Sequence, residues 1–430
     1  VSAPAIPVTA ARPVPGPAPT RATRAAALED LRAAGWPSRR REQWRHTDLE
    51  PLAAANFDFA PPAADRGDVD AVRRLLASPL FGVAERRLVL LDGQRVPGLG
   101  ADRLDGVELA EPEQRWSEFE SRFARRLPAA RYPLAALNTA FTERGLWLRI
   151  LPGTTIAAPI HIAIVGSARA RVAAQPRILI ELDDGAEATL VQHFVDCDPA
   201  AAGWTNSVTQ VRLGEGARLV LHRLQQHAER QTHTSLLTAD VAARASLQSG
   251  YFDVGGKLVR NDIAIDLAGA GAQTELFGLF LAGYGQHVDD HTAIDHSAGE
   301  TLSRETFRGI VGERGRGVFN GRVLVKHGCQ RVDAQQRNDN LLLGEHAEID
   351  TKPELEIYAN DVKCGHGSTV GELDNEQLFY LRARGLDPRS ARRMLTGAFA
   401  ATVIEGVRDE ELRNHFLERV TARLDRLTEF

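Results

Sequence analysis

Between residues 145 and 350 the chain is a succession of short alternating segments, each stopping at a glycine-bearing turn. That succession restricts the fold more than any other feature. "LWLRILPG", "IHIAIVG", "RILIELDDG", "SVTQVRLGEG" and "ARLVLHRLQ" put apolar residues at every second position, the period of a half-buried strand. A degenerate repeat runs through them. Ala186-Glu187-Ala188-Thr189-Leu190 is echoed by Ala217-Arg218-Leu219-Val220-Leu221, Ala243-Arg244-Ala245-Ser246-Leu247 and Ala272-Gln273-Thr274-Glu275-Leu276, with weaker copies starting at Gly315 and Ala347. The starts lie 26 to 43 residues apart. Repetition at this period predicts stacked coils, none of which can bury its apolar face without its neighbours. A parallel β-helix fits better than a sandwich, whose strands need not share a turn signature. Propeller blades would be longer, about 40 residues or more.

The flanks have a different character. Ala27, Leu28, Leu31 and Ala34 sit at helical spacing in a segment that Gly35 and Pro37 end. Beyond Leu373, Asp374, Asp387-Pro388 and Asp409 each offer a helix start. The second of these helices shows an apolar face of Ala391, Met394, Leu395, Ala398, Phe399 and Thr402, the third one of Leu412, Phe416, Val420, Leu424 and Leu427. The expected organisation is an Ala/Pro-rich disordered tail over 1–23, a helical or mixed domain over 24–144, the β-helix over 145–373 and a helical domain over 374–430. That last piece is too small to stand alone, so it should dock on the strands, on a partner, or on both.

Composition narrows the function. A net charge of −5 gives no basic field for nucleic acid or an anionic membrane. Three scattered cysteines suit a reducing compartment, and a cytoplasmic protein is expected. No apolar run approaches the roughly 20 residues that span a bilayer. The acid-poor first 28 residues lack the apolar core of a secretory signal and read as a disordered tail rather than an organelle transit peptide. The basic, Trp-bearing run "GWPSRRREQWRHTDLEPL" (35–52) could stack nucleic-acid bases. Arginine stems packed over Trp36 and Trp44 on a domain surface are the plainer expectation. No phosphate loop, dinucleotide fingerprint, G-x-S-x-G elbow, C-x-x-C or H-E-x-x-H occurs, so the chain should not hydrolyse ATP itself.

Two histidine-bearing stretches remain as candidate chemistry. In "HVDDHTAIDH" (287–296), a strand would put His287, Asp289 and His291 on one face and His296 on the other. A 2-His-1-carboxylate site is conceivable there, but the two imidazoles would lie roughly 13 Å apart along an extended strand. Polar coil-edge residues or an interface are expected instead. In "ANDVKCGHGSTVGELD" (359–374), Cys364 and His366 would share a strand face about 6.6 Å apart. Both can ligate iron or zinc, yet two ligands close no site. The alternative is a buried cysteine acting as a small hydrophobe beside a surface histidine.

The block "TKPELEIYANDVKCGHGSTVGELDNEQLFYLRARG" (351–385) closely resembles the C-terminal signature of the SufB/SufD family of iron–sulfur cluster assembly proteins, on its SufD side. "RGVFNGRVLV" (316–325), "DAQQRNDNLLL" (333–343), "GWPSRRREQWRHTDL" (35–49) and "GLDPRSARRMLTGAFA" (385–400) resemble further family segments. Gly365-His366-Gly367 and Leu381 depart from the SufB pattern, which would show "EH" before the glycine and a cysteine near the strand-to-helix junction. The resemblance implies a mainly β fold: a right-handed parallel β-helix flanked by N- and C-terminal helical regions. It implies a non-catalytic scaffold that pairs with SufB through the end of the β-helix and docks the SufC ATPase on its C-terminal helices, here with Met394, Leu395 and Phe399. A transient iron–sulfur cluster would form at the SufB interface, with His366 as the ligand from this chain and Cys364 as a second candidate. It also implies an association of reduced flavin with the complex, which no residue here places, and leaves open whether the isolated chain forms homodimers. A SufB-like cluster scaffold, a spacer that has lost ligation and a polysaccharide-active β-helix enzyme are the competing readings. The last would need clustered acids or a catalytic base on one strand face.

Overall fold

The computed structural model describes residues 18–59, 63–122, 127–142, 145–169 and 171–427. Most of the tail expected over 1–23 therefore lies outside the described residues. Its final part, from Ala18, already belongs to a helix, Ala18–Ala34, which Gly35 terminates in the left-handed conformation.

Alternating segments become strands of two ten-stranded sheets, and the chain passes from one sheet to the other at each turn. The result is a parallel β-solenoid of about 8 turns. The strand pairs from Ile160 onward are parallel and in register, so equivalent residues stack in columns along the axis. One inward set runs Leu182, Leu213, Val241 and Leu267, all buried. The solenoid also starts earlier than residue 145. Arg87–Leu91 pairs in parallel with Ile160–Gly166, and Val107–Ala110 pairs antiparallel with Leu146–Ile150. Leu88 and Leu90 join the aliphatic core from there.

The repeat is real, but the structure corrects its frame. Ala245, not Ala243, stands level with Ala217, because Arg218 pairs with Ser246. The slip is two residues, one strand period, so it leaves the inward set unchanged. The copies at Gly315 and Ala347 belong to the other sheet, which accounts for the long spacing before them. The corner ahead of several of these strands takes left-handed backbone. Gly216 and Gly271 supply it at φ +68° and +72°, whereas Arg244 and Arg314 adopt it at +57° and +54°. Those arginines obscure the glycine signature, since a side chain at that φ is uncommon.

Inside the coil, Gly278 faces Phe307, and a methyl group there would come 2.2 Å from the ring. Gly278→Ala is therefore expected to destabilise by about 1–3 kcal/mol through overpacking. Urea unfolding of the two proteins would check this, and an unchanged midpoint would refute it.

The C-terminal helices dock on the outer face of the first sheet. Asp374, Asp387 and Asp409 each accept hydrogen bonds from backbone N–H groups of the following helix. Leu412, Phe416, Val420, Leu424 and Leu427 are all buried, against residues that include Phe252, Phe277 and Leu279. The middle helix, Pro388–Ile404, buries Ala391, Thr396, Ala400, Val403 and Ile404. Its inward stripe is thus rotated from the expected one, and Met394 and Ala398 point away. No helix is long and apolar enough to cross a membrane among the described residues.

Trp36 and Trp44 are core residues rather than surface ones. The cation over Trp44 comes from the solenoid: the guanidinium of Arg260 lies 4.4 Å from its ring centroid. A surface packing of local arginine stems fails here because the Trp36 indole also donates to the Leu49 carbonyl, which folds the segment inward.

Candidate functional site

The final rung of the solenoid holds the Cys364 stretch. Val362–Glu372 is the last strand of the first sheet and Glu348–Ile357 the last of the second. Among the described residues both have one unpaired edge, which is a template for pairing with another chain. Register places Cys364 over Ala334, His366 over Gln336 and Ser368 over Asn338. Ala334, Gln336 and Asn338 are buried within the coil, so Cys364, His366 and Ser368 continue the bore side of the strand. His366 is exposed and Cys364 half-buried. Burial pushes the Cys364 thiol up, away from the thiolate that binds metal. Apolar side chains surround this open end, with Ile357, Tyr358 and Val370 all exposed. Among the described residues no three or more His, Cys, Asp or Glu side chains are gathered so as to hold a metal ion.

The 287–296 strand has the expected parity and a different use. His287 Nε2 lies 2.8 Å from the Thr47 hydroxyl, which also donates to Asp289. His291 Nε2 lies 2.9 Å from Asp289, and Arg260 donates to the same carboxylate at 2.5 Å. Burial alone would raise the Asp289 carboxyl, but Arg260 and then His291 hold it well below the usual carboxylate range. Burial keeps His287 neutral, pushed down to about 4. This face clamps the 36–49 segment to the solenoid. His296 points inward, bonded to Thr301 and Ser303.

The three helix residues divide. Met394 is exposed, while Leu395 and Phe399 are half-buried. Arg308 stacks 4.5 Å over the Phe399 ring and donates to its carbonyl, so Phe399 ties the helix to the solenoid. Phe379 and Tyr380 on the preceding helix are exposed and extend the apolar surface of this helical region, a feature for which the alternation of its sequence gave no cue.

A family profile for the SUF system FeS cluster assembly SufBD core domain matches residues 164–399, more than half of the chain. The chain belongs to the SufBD family. It is 33% identical to the iron–sulfur cluster assembly protein SufD of Escherichia coli, over 92% of this chain and 91% of that protein. It is 30% identical to an iron–sulfur cluster assembly SufBD family protein of Synechocystis, over 90% and 87% of the two chains. It is 27% identical to the chloroplastic protein ABCI7 of Arabidopsis thaliana, over 92% and 84%. The relatives make this a SufD-family protein of iron–sulfur cluster assembly, and the parallel solenoid is the fold expected from that resemblance.

Proposed function

We propose that this SufBD-family chain is a non-catalytic scaffold of the SufD type. It pairs end-on with SufB through the strands Glu348–Ile357 and Val362–Glu372, and it docks the SufC ATPase on the helical surface around Met394. A nascent iron–sulfur cluster is then held between His366 and ligands of SufB. The observation that carries this reading is the last rung: an open strand edge that turns His366 to the bore side, within an exposed apolar rim of Ile357, Tyr358 and Val370. A neutral imidazole is a harder, more labile ligand than a thiolate, which suits a cluster that must leave. Cys364, its thiol pushed further from the thiolate by burial, packs beside the site rather than ligating.

The test is anaerobic reconstitution of the chain co-expressed with SufB and SufC, with ferrous iron and sulfide, followed by visible absorption and sizing. His366→Ala is expected to form the complex at normal size and to lose at least nine-tenths of the cluster absorbance. Wild-type absorbance in an intact complex would sink the ligand role.

A further inference from the structure

The column beneath His366 turns from mainly aliphatic to polar toward its end. Down the first sheet it reads Ile160, Leu190, Leu221, Ser249, Leu276, then Glu305, Gln336 and His366. A position filled by aliphatic side chains in four of the first five rungs takes a carboxyl and an amide in the two rungs next to the proposed ligand. Both are buried, at 2% and 3% exposure. Gln336 Nε2 donates to Glu305 Oε2 at 2.6 Å, which fixes the amide: its N–H side faces Glu305. Among the described residues its carbonyl oxygen is buried with no hydrogen-bond partner. Such an atom costs free energy unless something completes it. Opposite, Gly321 makes the room. A methyl group at Gly321 would lie 2.2 Å from Gln336 Nε2.

We infer that Glu305 and Gln336 are positioning residues for His366: Glu305 orients the Gln336 amide so that its carbonyl accepts one imidazole N–H, leaving the other ring nitrogen as the iron ligand. The inference rests on the function proposed above. Histidines that bind metals are commonly held this way by an outer partner on the second nitrogen. In the single chain His366 is exposed and the carbonyl waits unpaired. Closing the end against a partner would bring the ring down onto it. Burial raises the Glu305 carboxyl to about 7, against the pull of the Thr292 hydroxyl and the Gln336 amide. A group held at that burial cost, where leucine serves one rung below, calls for a role. In its ionised form Glu305 can only accept, and that form holds the amide with its carbonyl turned away from Glu305.

The experiment uses the complex with SufB and SufC, loaded anaerobically with ferrous iron and sulfide. Glu305→Leu and Gln336→Leu are expected to keep complex size and to slow cluster formation about tenfold, the lower range for loss of an outer partner. Pulsed EPR of the reduced cluster should show the remote imidazole nitrogen changed in both, a signature that a packing role would not move. Glu305→Gln, whose carbonyl can still accept from Gln336, should restore most of the rate. Gly321→Ala, which displaces the amide while leaving Glu305 and His366 in place, should reproduce the slow rate and covers the case in which a leucine variant fails to fold. Wild-type rates and an unchanged nitrogen signal in the leucine variants, with His366→Ala still inactive, would overturn the positioning role alone. A fully active His366→Ala would remove the ligand and this inference with it.

Discussion

Asp289→Ala is expected to cost about 3–5 kcal/mol of stability, the range found when one partner of a buried ion pair is removed. The carboxylate is inaccessible to solvent and is the meeting point of Arg260, Thr47 and His291. Without it, the guanidinium of Arg260, itself buried, keeps Asp262 as its one counter-charge among the described residues, and that carboxylate is partly exposed. Arg260 also donates to the Gln43 carbonyl and stacks on Trp44, so the damage should reach the 36–49 segment. Urea unfolding followed by tryptophan emission would show a lower midpoint and an early change from Trp36 and Trp44. Removing both charges together, as Arg260→Met with Asp289→Leu, should recover most of the loss, since well-packed apolar replacements for a buried pair are often neutral or better. A loss under 1 kcal/mol in the single variant would show that the clamp is hydrated and carries little.

The solenoid was legible because strand period and turn spacing are local properties. Every second residue of "RILIELDDG" or "ARLVLHRLQ" faces the bore in the folded chain, and a two-residue slip at Ala243 could not change which face that was. The earliest rung was hidden. "RRLVLL" lies more than 50 residues before its partner Ile160–Gly166, and nothing local distinguishes a strand that waits for so distant a neighbour. The helix face of Pro388–Ile404 was only half readable, because Met394 and Phe399 are equally apolar in sequence. Arg308, a solenoid residue, decides that one is covered and the other free. The clamp around Asp289 and the Glu305–Gln336 pair escaped for the same reason. Each joins residues 29 or more positions apart, and their meaning lies in the stacking register, which alternation alone does not supply. Cys364 and His366 were visible as a pair, but their different exposure follows from where the chain happens to end its last rung.

Acidification from pH 7 to pH 4.5 should release the C-terminal helix Glu410–Leu427 before the solenoid melts. Its Phe416 rests on His222, with ring centroids 6.1 Å apart, and on Phe252 at 4.9 Å. An imidazole pair, His161 and His193, lies on the same outer face, with Nδ1 and Nε2 3.0 Å apart. Burial pushes His161 and His222 down to about 4 and His193 well below its ordinary value. Of the charges nearby, Arg87, His415 and Arg419 reinforce the shifts on the pair, while Asp409 opposes those on His161 and His222. A histidine depressed in the folded state takes up its proton only on unfolding. Its stabilising effect is complete above the unfolded value near 6.5 and is lost as pH falls from there to about 4. Each of His161 and His222 then removes about 3 kcal/mol, enough together to undock a helix held mainly by one apolar stripe. Hydrogen exchange at the two pH values should show protection lost first over Glu410–Leu427, and His222→Gln should remove close to one proton from the uptake on unfolding. Equal protection of that helix at pH 7 and pH 4.5 would mean that the imidazoles are hydrated and that its docking depends on Leu412, Phe416, Val420 and Leu424 alone.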